Sequence, residues 1–267
     1  MHHRTLVVMA LLAASLSAQA DDQWLNPWGA GEFQWGTDQQ PLDAVARPRD
    51  VYLPDAGYIG RSPSDKPEDL EIPGPHPGGE RRFVRYVNGA LVDAWLVRPG
   101  PIDVSDFQAN GKELWSGVVL GPSEDGYRAF GDAVAWQVGQ RTAMLWKDRS
   151  SDLEILSNRS VATGQYAVEA EGPLVEGPAG RHGARISGDL KDYLKGEEDA
   201  ISGCLDQAPK PVEGHLFVTY DAKGRPARIK ADTDQPSADV LHCWAGAIAH
   251  TQAPADQVFS ARVFRMR

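Results

Sequence analysis

Cys204 and Cys243 are the only cysteines of the chain, and they are the residues whose type and spacing most directly suggest chemistry. An even pair in an exported protein reads most simply as one disulfide. The alternatives are two separate buried thiols, or a zinc pair. Zinc would need two further ligands, and only His242 is adjacent in sequence. The histidines beyond the first 20 residues, His76, His182, His215, His242 and His250, are scattered. His215 and His242 read as partly exposed neighbours of the core. Asp232-Thr233-Asp234 begins like a calcium loop but fails as one. Pro236 stands at its fifth position, Ser237 where the glycine belongs and Cys243 where the final acid belongs. No G-x-S-x-G elbow, H-E-x-x-H helix or phosphate loop occurs. Gly177, Gly180 and Gly183 have the wrong spacing for a dinucleotide loop and follow no strand. No catalytic residue, cofactor or metal site is assigned.

Tryptophan is the other candidate. Trp24, Trp28 and Trp35 crowd one short stretch. Their faces suit stacking on a sugar ring or on another protein. The competing reading is that they strap the N-terminal segment onto a neighbouring domain. Trp95, Trp115, Trp136 and Trp146 fall in strand-like runs and read as core, and Trp244 reads as helical core. Glu197-Glu198-Asp199 reads as a solvated helix face.

The elements that must position these residues follow from the pattern along the chain. Residues 1–20 have a short basic or polar start through Arg4, an apolar run from Leu6, and an Ala18-Gln19-Ala20 cleavage signal before Asp21-Asp22. They read as a secretory signal peptide, so the mature protein is expected to be periplasmic, outer-membrane-associated or secreted. Residues 21–80 are rich in proline, and long regular elements are not expected there. Residues 81–170 alternate in the manner of short antiparallel strands: 83–87, the Asn88-Gly89 turn, 90–97, 114–120, 133–138, 142–146, 153–156 and 165–168. Val104 to Ala109 suits a short helical turn. Residues 171–188 carry clustered Gly and Pro and read as a linker.

Residues 189–267 read as helix, strand, strand, helix, strand. The first helix carries an apolar stripe through Leu190, Leu194, Ile201 and Cys204, weakened at Gly196. Strands follow over 212–220 and 227–231 around the turn Asp221 to Gly224. A helix starts at Pro236-Ser237, and a strand spans 257–265. The expected fold class is therefore α+β: a β-rich antiparallel sandwich or barrel-like domain plus a small α+β module.

Within this module, Gly203-Cys204, Gly214-His215-Leu216-Phe217-Val218, Gly224 and Asp239-Val240-Leu241-His242-Cys243-Trp244 resemble the C-terminal domain of TonB-type energy transducers. The two-cysteine pattern is similar to the version found in myxobacterial gliding-motility proteins. The resemblance covers about 75 residues, from 189 onward. It implies that the sheet packs against two helices and that Cys204 and Cys243 tie those helices together. It also implies a sheet edge able to accept a partner's strand. The chain departs from TonB itself: its leader is cleavable and it lacks a long Pro-Lys and Pro-Glu spacer. The resemblance implies the fold, and these departures argue against energy transduction as the role.

Charge narrows the partners. The chain has 267 residues, with 27 Lys+Arg against 37 Asp+Glu, a formal −10. That excess argues against nucleic acid or an anionic membrane surface as the main partner. No later run is long and apolar enough for a transmembrane helix. Residues 189–267 hold ten basic and twelve acidic side chains, so most of the negative charge lies ahead of the module. The resulting expectation is a non-catalytic exported envelope protein whose C-terminal module binds a protein partner. The alternative is an extracytoplasmic hydrolase or carbohydrate-binding protein using the β-rich domain. Paired carboxylates or exposed Trp rings in a concave pocket would favour the alternative, and a free edge strand within 212–265 would favour the first. Export predicts that N-terminal sequencing of the protein from outside the cytoplasm starts at Asp21; an intact Met1 start in the cytoplasm would refute the address.

Overall fold

The computed structural model describes residues 23–48, 66–121, 128–160, 184–205, 213–232 and 238–265. The expected leader, the strand expected at 165–168 and most of the expected linker lie outside these residues.

Three two-residue strands, β1 (Leu25–Asn26), β2 (Gly29–Ala30) and β3 (Phe33–Gln34), form a small antiparallel sheet. The other strands all belong to one sheet. They are β4 (Val45–Ala46), β5 (Pro67–Ile72), β6 (Arg81–Val87), β7 (Ala90–Pro99), β8 (Lys112–Gly121), β9 (Arg128–Val138), β10 (Arg141–Asp148), β11 (Leu153–Ser160), β12 (Ala184–Ser187), β13 (Glu213–Tyr220), β14 (Pro226–Asp232) and β15 (Val258–Arg265). The helices are α1 (Ser105–Asn110), α2 (Glu198–Cys204) and α3 (Ala238–Ile248). The sheet order is β12, β15, β13, β14, β9, β10, β11, β7, β6, β5, β4, with β8 also on β9.

The antiparallel β-rich body expected from the turn spacing is present, and its sheet continues directly into the C-terminal strands. Ala129 of β9 pairs with Gly121 on one side and with Arg228 of β14 on the other. The Pro-rich segment is more regular than its composition suggests, because β5 spans Pro67–Ile72. Pro67 sits at the first residue of that strand, where a missing donor is tolerated. Asn88 and Gly89 both take positive φ (52° and 85°), the two-residue turn expected between β6 and β7. The first helix of the C-terminal region is split. A 3-10 turn covers Asp189–Tyr193 and α2 begins only at Glu198, with Gly196 between them at φ 94°.

Both faces of the body's sheet are buried. One face packs Val84, Leu96, Leu145, Leu156 and Trp136 against Trp24, Leu25 and Phe33 of the small sheet and Phe107 of α1. The opposite face gathers Phe83, Trp95, Met144, Trp146 and Ile155. Trp146 lies flat over Gly121 and Gly131, where any Cβ would overlap its ring, and its Nε1–H donates to the Val119 carbonyl at 3.0 Å. The indole can lie this close to β8 and β9 only because both facing positions are glycine.

A third core belongs to the C-terminal region: Leu190, Leu194, Ile201, Leu216, Val218, Ile229, Trp244, Ile248 and Val263. Phe130 of β9 joins it, with Val118 and Leu120 of β8 packed against it. The Cys204–Cys243 disulfide joins α2 to α3 across a Cα–Cα distance of 5.6 Å. Trp244 Nε1–H donates to the Ile201 carbonyl at 3.1 Å beside it. The bridge closes a loop of sequence separation 39. By chain entropy that closure stabilises the fold by about 4 kcal/mol. Replacing both cysteines by alanine is expected to lower the urea-unfolding free energy by about that amount. A loss within measurement error would mean that packing alone fixes α2 on α3.

Candidate functional site

The junction between the body and the C-terminal strands forms an open cleft of about 690 Å³. Its walls are the β10–β11 turn (Arg149, Ser150) and the β13–β14 turn (Asp221 to Arg225), with Arg228 and Asp256 at the rim. A chain of alternating charges runs along it. Arg149 Nε–H and Nη2–H donate to Asp132 Oδ1 at 2.9 and 2.7 Å, and its Nη1–H reaches the Pro226 carbonyl at 3.4 Å. Arg225 Nη1 lies 3.5 Å from Asp132 Oδ2, and its Nη2 lies 3.1 Å from Asp221 Oδ2.

Asp221 also shapes its own turn. Its Oδ1 accepts the backbone N–H groups of Lys223 (2.8 Å) and Arg225 (2.9 Å). Partial burial pushes this carboxyl's pKa up, but the two N–H donors and the Arg225 guanidinium outweigh it and hold the group below the usual carboxylate range. Sequence reading found the turn at 221–224 and missed the clamp. The available signal was Arg225 four residues beyond Asp221, whereas nothing local couples either residue to Asp132 or Arg149.

The cleft continues onto the solvent face of β13, β14 and β15. Leu216, Val218 and Tyr220 point inward, so His215, Phe217 and Thr219 point out. Phe217 pairs with Lys230 on one side and Ser260 on the other, and His215 pairs with Arg262. His215 and Phe217 stack with ring centroids 6.5 Å apart. Val258 is exposed on the same face.

β12, β15, β13 and β14 make up one end of the sheet, and β12 is its last strand. The outer edge of β15 pairs with β12 over Arg262–Arg265. Further along that edge the Ser260 N–H donates to Asp189 Oδ1 at 2.6 Å. β15 is thus an inner strand over Arg262–Arg265, and on this side the sheet ends at β12. The outer edge of β14 meets β9 at Arg228 and Ile229.

Trp24, Trp28 and Trp35 do not share one surface. Trp24 is 7% exposed, with the Arg82 guanidinium over its ring. Trp35 is half-buried beneath the Arg141 guanidinium, 3.5 Å from its ring centre, and its Nε1–H donates to the Pro27 carbonyl at 3.0 Å. Burial pushes the Arg141 pKa down to about 10; the Asp93 carboxylate opposes this and Arg159 adds to it. Trp28 alone presents its ring to solvent, at 61% exposure. A second groove of about 600 Å³ beside Trp24 includes Phe33, Gln39, Gln40, Leu42 and Arg82. Trp95, Trp136, Trp146 and Trp244 are core, and Trp115 packs at the edge of one cluster. His215, His242 and His250 are exposed, and His76 Nε2 bonds the Ile72 carbonyl oxygen at 3.0 Å.

No family model, curated protein or solved structure matches this chain. Among the described residues no group of three or more His, Cys, Asp or Glu side chains could hold a metal ion, and no helix is long and apolar enough to cross a membrane.

The lowered Asp221 carboxyl carries a sign. A carboxyl with a depressed folded-state pKa adds stability above its unfolded value, near 4, and that stability is lost as pH falls through the folded value. Asp221→Asn is expected to destabilise at neutral pH and to erase part of the acid-induced fall in melting temperature. Parallel melting curves for variant and wild type down to pH 2 would contradict this.

Proposed function

We propose that the chain is exported and acts, without catalysis, in the cell envelope, and that its C-terminal module binds a protein partner. One observation carries the proposal. The disulfide joins two helices on one side of an antiparallel sheet, and the sheet's other side stays open to solvent with an aromatic and cations on it. A rigid backing and an unpaved face suit recognition. The helix, strand, strand, helix, strand order agrees with the TonB-type resemblance and supports the same reading. β15 is paired with β12 over Arg262–Arg265, and the broad open face, rather than the four-residue edge of β12, carries the proposal. The carbohydrate-binding alternative has less support, because two of the three N-terminal tryptophans lie beneath arginines.

The test is photo-crosslinking in intact cells of the native producer. A photoreactive residue is placed at His215 on the sheet face, at His242 on α3, or at Gln137 on the body, and all three positions are exposed. A discrete protein adduct from His215 or His242, and none from Gln137, is expected in the envelope fraction. Absence of any adduct from the module, or recovery of the protein in the cytoplasm, would overturn the proposal.

A further inference from the structure

We infer that the solvent face of β13–β15, together with the junction cleft, recognises a short acidic peptide segment of the partner; this rests on the protein-binding reading above. The two surfaces are continuous, because Thr219 and Arg228 stand on the face and also line the cleft. The cleft is lined by four cations, Arg149, Lys223, Arg225 and Arg228, against two acids, Asp221 and Asp256. Asp221 is consumed by its turn and by Arg225, and Arg149 by Asp132. Lys223 and Arg228 therefore supply the positive charge that faces solvent, against the exposed Asp256, and the Arg228 Nε–H donates to the neutral Ser150 hydroxyl at 3.3 Å. Lys230 and Arg262 stand on the same face, each engaged by other contacts.

This local excess of positive charge sits in a chain of net −10. Whole-molecule repulsion opposes a long polyanion or an anionic bilayer, which would meet the entire field. A short acidic segment meets only the patch, within one Debye length of about 8–10 Å. Phe217, half-buried between His215 and Thr219, offers an apolar anchor at the centre of the face. Carboxylates over Lys223 and Arg228, with an apolar or aromatic side chain over Phe217, are the expected contacts.

The experiment uses the intact, disulfide-bonded mature protein and fluorescence anisotropy. The probe is a short fluorescein-labelled peptide of Asp and Glu with a central Phe. Its counterparts are the same peptide with Asn and Gln, and phosphatidylglycerol vesicles. The acidic peptide is expected to bind with an affinity that falls as salt rises. Lys223→Glu with Arg228→Glu is expected to weaken it about tenfold or more. Phe217→Ala should weaken it without changing the salt slope, and Lys112→Glu on β8 should leave it unchanged. Equal binding of the uncharged peptide, insensitivity to the charge reversals, or binding to vesicles in preference to peptide would overturn the inference. A crosslink from His242 with none from His215 would also overturn it while leaving the protein-binding reading standing.

Discussion

The backbone of β9 is shared between two halves of the molecule, and most of the fold depends on that sharing. A buried strand must have its N–H and C=O groups paired. β9 is paired with β10 from Gly131 to Val138, with β8 from Ala129 to Gln137, and with β14 at Arg128 and Ala129. Its side chains divide by parity. Ala129, Ala133 and Ala135 enter one core of the body, while on the other parity Phe130 enters the C-terminal core and Trp136 the body's opposite core. Asp132 sits between them and takes Arg149 from one half and Arg225 from the other. Those ion pairs involve an Asp132 side chain that is 48% exposed, so they orient more than they stabilise. Burial of Phe130 is the stronger bond between the halves, on the order of 2–3 kcal/mol of apolar transfer. The C-terminal module is therefore an extension of the sheet, and its open face is held in fixed relation to the body.

Register in the body has a second determinant. Arg47 just after β4, Asp69 of β5, Arg85 of β6, Asp93 of β7 and Arg159 of β11 alternate in sign. Asp69 pairs with Arg85, Arg85 with Asp93, and Asp93 with Arg159. Arg85, Asp93 and Arg159 are each at most 3% exposed. Asp69 takes Arg85 in a two-pronged contact at 2.6 and 2.8 Å, and the Ser160 N–H donates to Asp93 at 3.1 Å. Desolvating these groups costs several kcal/mol per ion, so the ladder is weak as a net stabiliser. It is strong against slippage. A shift along any one strand would set a buried charge opposite an apolar neighbour such as Leu91 or Trp95, with its counter-ion left behind.

Local patterns in the sequence were sufficient for most elements. Alternation and Asn88-Gly89 mark β6 and β7, and the helix and strand order of the C-terminal region follows from its apolar stripes. What escaped was long-range. No local signal links residues near 129 to residues near 228, so the joining of two expected domains into one sheet was not legible. β12 fell inside a stretch that composition marks as linker, because four residues are too few to show a period. The ion ladder left a trace that went unread: single charges at inward positions of apolar runs, Arg85 between Val84 and Tyr86 and Asp93 between Val92 and Ala94. The stacking reading of Trp24, Trp28 and Trp35 depended on what stood above the rings, and the partners of the first and third, Arg82 and Arg141, are distant in sequence.

Edge closure and face charge in the C-terminal strands are connected. A sheet offers a partner its edges or its faces. Here one face is spent on α2, α3 and their bridge, and β15 and β14 are paired outward with β12 and β9. Strand addition to these strands would have to displace β12 or separate β14 from the strand that holds the two halves together, or else use the four-residue edge of β12. Binding on the remaining face requires none of these. That face is built of side chains on strands held by pairing, β13 on both sides, so little ordering entropy remains to be lost on contact. Lys223 and Arg228 lie at one end, toward the cleft, Phe217 lies at the centre beside Lys230, and Arg262 lies toward the far end. A ligand reading the cleft end and the centre must have extended geometry and a defined direction, which a short peptide segment has and a diffuse anionic surface lacks.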